Sequence, residues 1–175
     1  MPHDRELLQA LERFEARTWR GIVYRHMFAS YSPERENTLG ARWNPPEVPA
    51  IYTSLARETA LAEADYQISM EPLRPVVRRT IYRIQVSLRS VLDLSAPGTL
   101  AKLGINEPEL AAIDHASCQR IGGAVEWLDN DGLLVPSARI TDGVNLAIYP
   151  NRQGPSYEFR VLDSEVIYNP QTRPR

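Results

Sequence analysis

The chain has 175 residues, of which 20 are Lys or Arg and 22 Asp or Glu, giving a net charge of −2. That length lets one domain bury about two-thirds of its unfolded surface without a staple, and the single cysteine, Cys118, offers neither a disulfide framework nor a Cys/His metal cluster. Balanced charge argues against a general nucleic-acid binder, which needs clustered excess Lys and Arg. No apolar run approaches a membrane span, so a cytoplasmic protein is expected.

Residues 4–17 place Leu7, Leu8, Leu11 and Phe14 at helical spacing behind Asp4, a good N-cap. Ile22, Val23 and Tyr24 then form a short β-prone run ending at Arg25, with Arg20 just upstream. Residues 28–37 read as an exposed loop. Gly40 permits a tight bend, and Pro45, Pro46 and Pro49 stiffen the segment after it. Residues 50–53 form a short strand, and Ser54 is the expected N-cap of a helix reaching about Ser69 and carrying Glu63 beside the small residues Thr59 and Ala60.

Residues 71–75 are a proline-bounded connection. Tyr82, Ile84, Val86 and Leu88 alternate with Arg83, Gln85 and Ser87, which predicts a half-buried strand, and residues 92–94 predict a separate short one. Asn106 and Glu109 suit a capping box opening a helix to Ile113, with Pro108 tolerated in its first turn. A helix over residues 115–127 is expected to break or bend at Gly122 and Gly123. Residues 129–132 read as a turn, and further strands are predicted over 133–136, 145–149 and 157–167. Mixed strands and helices without regular alternation point to an α+β fold.

No G-x-G-x-x-G, G-x-x-x-x-G-K or G-x-S-x-G pattern occurs, which removes a Rossmann dinucleotide site, a P-loop and a hydrolase elbow. His3 and His115 read as surface residues and His26 as structural, since on a strand it points away from its neighbour Arg25. The richest stretch is residues 40–63, where Arg42, Tyr52 and Glu63 meet at one strand-to-helix corner suited to an anionic substrate with an aromatic head.

Separated motifs carry a family resemblance. They are Tyr24-Arg25, Gly40-Ala41-Arg42-Trp43-Asn44, the run from Tyr52 through Ser54 to Glu63, Val135-Pro136-Ser137, and Asn145 with Leu146. In this order they resemble the RES-domain toxins of bacterial toxin–antitoxin systems over about residues 19–152. The resemblance implies one RES-like domain over residues 1–175, with an N-terminal helix over 1–17 and a frayed tail over 168–175. It implies a compact fold similar to ADP-ribosyltransferases, with a mixed β-sheet core and flanking helices.

It further implies an Xre-like antitoxin as partner and an activity that consumes NAD+, by phosphorolysis, by hydrolysis or by transfer of ADP-ribose to a protein. The acceptor is phosphate, water or a protein side chain. No metal, no direct nucleic-acid contact and no membrane are expected. A catalytically inactive antitoxin-binding module is the other functional class. Three departures stand out: Ala41 for a second Gly, Glu47 for a common Gly after the prolines, and Arg152 where many members have a histidine. The last bears on which acceptor is used.

The chemistry assigns roles. Loss of neutral nicotinamide needs no general acid, and the difficulty is positive charge on the ribose, which a carboxylate stabilises. Glu63 is the candidate for that role. Arg25 and Arg42 would hold the diphosphate, Tyr52 would stack on the nicotinamide or line its slot, and Ser137 would donate a hydrogen bond near the phosphate or ribose. Arg20 competes with Arg25, and His26 is a possible addition. Structural alternatives stand beside these roles: Trp43 and Tyr52 as core aromatics, Ser137 as a turn residue, and Arg42 paired with Glu63.

Overall fold

A computed structural model describes residues 4–29, 31–73, 76–152 and 154–169. The expectations for His3 and for the tail beyond residue 169 lie outside the described residues, as does the Pro75 end of the proline-bounded connection.

The chain order is α1 (Arg5–Leu11), β1 (Arg17–Phe28), β2 (Ile51–Ser54), α2 (Arg57–Met70), β3 (Arg79–Asp93), α3 (Glu107–Ala111), α4 (Ala116–Trp127), β4 (Gly132–Pro136), β5 (Val144–Ile148) and β6 (Glu158–Tyr168), with short 3-10 turns at Leu100–Leu103 and Pro150–Arg152. The strands run β1-β2-β5-β4-β3-β6 across one sheet, and β1 also pairs with β3, so the first five close into a ring with β6 outside it. All the pairings are antiparallel except β3 with β4. The architecture is the expected α+β domain with a mixed sheet and flanking helices.

β3 is the spine of this arrangement. Its first part lies between β1 and β6, and its end, Val91–Asp93, pairs with β4. One continuous 15-residue strand therefore replaces the two expected over 82–88 and 92–94. Ile84, Val86, Leu88 and Leu92 are all buried, and pairing on both edges carries the strand across the polar residues between them. Likewise β1 runs 12 residues, held by its long register with β3, so Arg25 sits within the strand.

Two apolar clusters result. Val23, Ile51, Ile84, Leu146 and Ile148 fill one. Leu11, Trp43, Leu94, Ile121, Val125 and Tyr149 fill the other, which binds α1 and α4 to the sheet.

Local capping behaves as the sequence predicts at two helices. Asp4 accepts from Glu6 N at 2.9 Å to start α1, which is one short helix ending at Leu11. Asn106 and Glu109 form the reciprocal capping box of α3, which ends at Ala111, before Ile113.

Ser54 does not cap α2. It belongs to β2 and its hydroxyl donates to Asn145 Oδ1 at 2.6 Å, while the helix starts after Ala56. Nor does α4 break at its glycines. A Cβ at Gly122 would collide with the Trp43 carbonyl, so glycine there lets the helix pass against the loop holding Trp43.

Candidate active site

Arg25, Arg42, Tyr52 and Glu63 converge on one cleft of about 470 Å³, between α2, the β1 and β2 strands and the segments around residues 112 and 138, with Ser137 just outside its lining. That volume lies in the range of small-molecule sites, ~300–1,000 Å³. Arg25, Arg42, Tyr52, Glu63, His115, Arg139 and Asn145 all line it.

Glu63 is fixed by two donors. Ser137 Oγ donates to its Oε1 at 2.7 Å and Asn145 Nδ2 donates to the same oxygen at 2.8 Å. Asn145 is held in turn by the hydroxyl of Ser54. Helix α2 can bring Glu63 this close to β4 and β5 because its buried residues are Thr59, Ala60 and Ala64, all small. Ser137 thus gives its only proton to Glu63 and accepts from the amides of Arg139 at 3.0 Å and Ile140 at 3.2 Å. Its turn role and its place beside the carboxylate are one arrangement, and Oε2 of Glu63 keeps its lone pairs for other partners.

Arg42 and Glu63 do not pair with each other. Arg42 Nη1 donates instead to the carbonyls of Leu110 and, at 3.3 Å, Ala112, just past the short helix α3. Arg25 donates through Nη1 to Pro33 O at 2.7 Å and through Nη2 to Arg35 O. Burial lowers its pKa to about 10, which leaves it charged at neutral pH. Arg20 lies outside the lining and reaches Glu158 at 3.6 Å on the exposed side of the sheet, so Arg25 is the cleft arginine of the two. Among the described residues, none of the three cleft arginines, Arg25, Arg42 and Arg139, has an ion-pair partner. Three cations against one carboxylate make a site for an anion.

The loop bearing Arg42 is built around Tyr52. The tyrosine hydroxyl accepts from Trp43 N at 2.8 Å and donates to Asn44 Oδ1 at 2.7 Å, while Asn44 Nδ2 spans to Val48 O and Asn37 O. Burial holds the phenol protonated far above neutrality. With the hydroxyl engaged, the ring is what Tyr52 offers the cleft. Trp43 is a core residue at 2% exposure, and its carbonyl accepts from Tyr149 Oη at 2.9 Å. Ala41 needs no glycine freedom, whereas Glu47 has φ 76° and occupies left-handed backbone without being glycine.

His115 is not a bystander on the surface. It lines the cleft, and burial, followed by the nearby Arg42 guanidinium, pushes its pKa down, with Arg139 adding to the effect against Asp114. His26 also reaches the edge of the cleft, but its Nε2 accepts from Arg79 Nε at 3.0 Å, in keeping with a structural role. Arg152, expected to bear on acceptor choice, is drawn to Glu126 on α4 at 2.8 Å and is absent from the lining.

Asn145, Arg139 and His115 are the cleft residues to which sequence reasoning gave no role. Asn145 stood in a recognised motif without a role. Arg139 follows Ser137 by two positions, and its only signal was that proximity.

Among the described residues no group of three His, Cys, Asp or Glu side chains is placed to hold a metal, and no helix is long and apolar enough to cross a membrane. The site is a rigid carboxylate in an arginine-lined cleft on an α+β domain. The family model of the RES domain matches residues 13–168, and the chain belongs to that family. It is similar to the NAD(+) phosphorylase MbcT of Mycobacterium tuberculosis and of Mycobacterium bovis, each 29% identical over 163 residues that cover 87% of this chain and 86% of the relative. The crystal structure of the M. tuberculosis MbcT–MbcA toxin–antitoxin complex matches with a TM-score of 0.82 and 25% identity, covering 96% of this chain and 94% of the other.

Proposed function

We propose that this chain cleaves the nicotinamide–ribose bond of NAD+ with inorganic phosphate as acceptor, as the toxin of a toxin–antitoxin pair acting in the cytoplasm. The observation that carries the reading is the Glu63 carboxylate, locked by Ser137 and Asn145 in a cleft where three arginines have no carboxylate partner among the described residues. The diphosphate of a dinucleotide complements those guanidinium groups. The activity in the name of the mycobacterial relative supports the same bond and acceptor, and the solved toxin–antitoxin complex supports an antitoxin partner, which we take to be Xre-like.

In this mechanism Arg25 and Arg42 exchange main-chain carbonyls for diphosphate oxygens, a trade in which guanidinium forks gain charge-assisted bonds. The Tyr52 ring forms the wall for the nicotinamide. As the C1″–N bond lengthens, its electron pair goes to the pyridinium nitrogen and positive charge develops on the ribose, next to Glu63. Ser137 and Asn145 hold the carboxylate in place, so little reorganisation is needed when that charge appears. A phosphate oxygen then bonds to C1″, giving ADP-ribose 1″-phosphate and nicotinamide.

The test is incubation of the purified chain with NAD+, with and without phosphate and with cell lysate, followed by mass spectrometry of the products. Phosphate-dependent ADP-ribose 1″-phosphate is expected. Glu63→Gln keeps size and fold but removes the charge, and should cut turnover by about a hundredfold or more. Free ADP-ribose alone would replace phosphorolysis with hydrolysis, and ADP-ribose on a lysate protein would make the chain a transferase. Absence of nicotinamide under every condition would leave an antitoxin-binding module.

A further inference from the structure

The three cleft arginines are not equivalent. Arg25 and Arg42 each donate to two groups of the main chain, so their charges are already dispersed over carbonyl oxygens. Arg139 is held differently. Its guanidinium carbon lies 3.3 Å from the centre of the Tyr66 ring; among the described residues its buried Nε has no hydrogen-bond partner, and Nη2 makes a long contact of 3.5 Å to Ala111 O. Stacking fixes the plane of the fork without consuming its donors.

Its position is also distinctive. Tyr66 follows Glu63 by three residues on α2, which places the two side chains on neighbouring turns of one face. From the other side, the Arg139 amide donates to the Ser137 hydroxyl that donates to Glu63. The fork is therefore tied to the catalytic carboxylate through both the helix and the loop. His115 lines the same part of the cleft, where burial, then Arg42 and more weakly Arg139, against Asp114, lower its pKa.

We propose that Arg139 is the acceptor-binding residue of the cleft, holding inorganic phosphate beside the ribose carbon that Glu63 serves. This rests on the phosphorolytic reading given above and names the residue that makes phosphate, rather than water, the acceptor. Two phosphate oxygens take the terminal Nη1 and Nη2 donors, Nε being buried, and a third carries the lone pair that forms the C1″–O bond as the C1″–N bond breaks toward nicotinamide. With phosphate as the dianion the attacking oxygen has no proton to lose, so no base is required. Docking the phosphate gives up only the long Nη2–Ala111 contact of Arg139, whereas on Arg25 it would displace carbonyls held by both terminal nitrogens.

The test is steady-state kinetics of the full chain, varying phosphate and NAD+ separately, on native protein, Arg139→Gln and Arg139→Lys. Loss of a charge-assisted pair predicts a KM for phosphate raised by about tenfold or more in Arg139→Gln, with the KM for NAD+ within about twofold and partial recovery in Arg139→Lys. An unchanged KM for phosphate overturns the proposal, as does an equal rise in both KM values, which would assign Arg139 to the dinucleotide's own diphosphate.

Phosphorus NMR separates this from the underlying reading. If native chain makes no ADP-ribose 1″-phosphate, phosphorolysis fails by itself; line broadening of inorganic phosphate by native chain, lost in folded Arg139→Gln, still supports an anion site on Arg139. No broadening by native chain overturns the site.

Discussion

Glu47 shows how one backbone angle can set a residue against its position. With φ 76° it sits in the region where a Cβ costs roughly 1–2 kcal/mol. Its side chain is exposed, while its amide is held by Thr38 O at 3.1 Å, so the loop imposes the conformation. Glycine removes the steric cost but loosens the unfolded chain by about 0.4–1 kcal/mol. Glu47→Gly should therefore stabilise the fold by roughly 0.5 kcal/mol, measured as a raised urea midpoint at unchanged slope. A lowered midpoint would mean that the glutamate contributes something the loop geometry does not show. The position was legible in the sequence as a departure from a glycine, and the structure supplies its angle. Ser54 is the opposite case. Its type and place fitted an N-cap, yet its hydroxyl goes to Asn145, 91 positions away, a partner no local pattern can reveal.

At the scale of elements, α4 packs against the carbonyl of Trp43, beside Arg42 in the loop that lines the cleft. Gly122 passes directly under the Trp43 carbonyl, which also receives the Tyr149 hydroxyl, so neither side can yield. Gly122→Ala should destabilise the protein by about 3 kcal/mol, and in folded molecules should shift Arg42 enough to weaken NAD+ binding. Thermal unfolding with a parallel ligand-binding titration checks both parts. Full stability in the variant would show that α4 can slide. Sequence reasoning took the glycine pair for a helix breaker because its purpose is a carbonyl far earlier in the chain, at Trp43. The capping box of Asn106 and Glu109 was readable because all its partners lie within four residues. Likewise, alternation in β3 exposed the strand, but its full length depends on β1 and β6 pairing along its edges.

For the whole molecule, the pairing of β1 with β3 makes stability depend on His26. Burial, followed by the charge of Arg79, lowers its pKa from 6.5 to about 4, with Asp65 opposing. The native state then binds fewer protons than the unfolded chain between those values, so stability is full above pH 6.5 and falls as pH drops through that window toward 4. Melting temperatures between pH 7.5 and 4.5 should decline, and His26→Gln should flatten the decline. An identical slope in the variant would assign the acid sensitivity to other groups.

Glu63 and its two donors are separated by 74 and 82 positions along the chain. Translation supplies the carboxylate well before Ser137 and Asn145, and β4 and β5 must add to the sheet before the constellation exists. A partly synthesised chain on the ribosome therefore carries every arginine of the first half of the site but no working centre. For a protein whose proposed activity drains a shared metabolite, the order of synthesis keeps each copy harmless until Ser137 and Asn145 have been made and folded against Glu63.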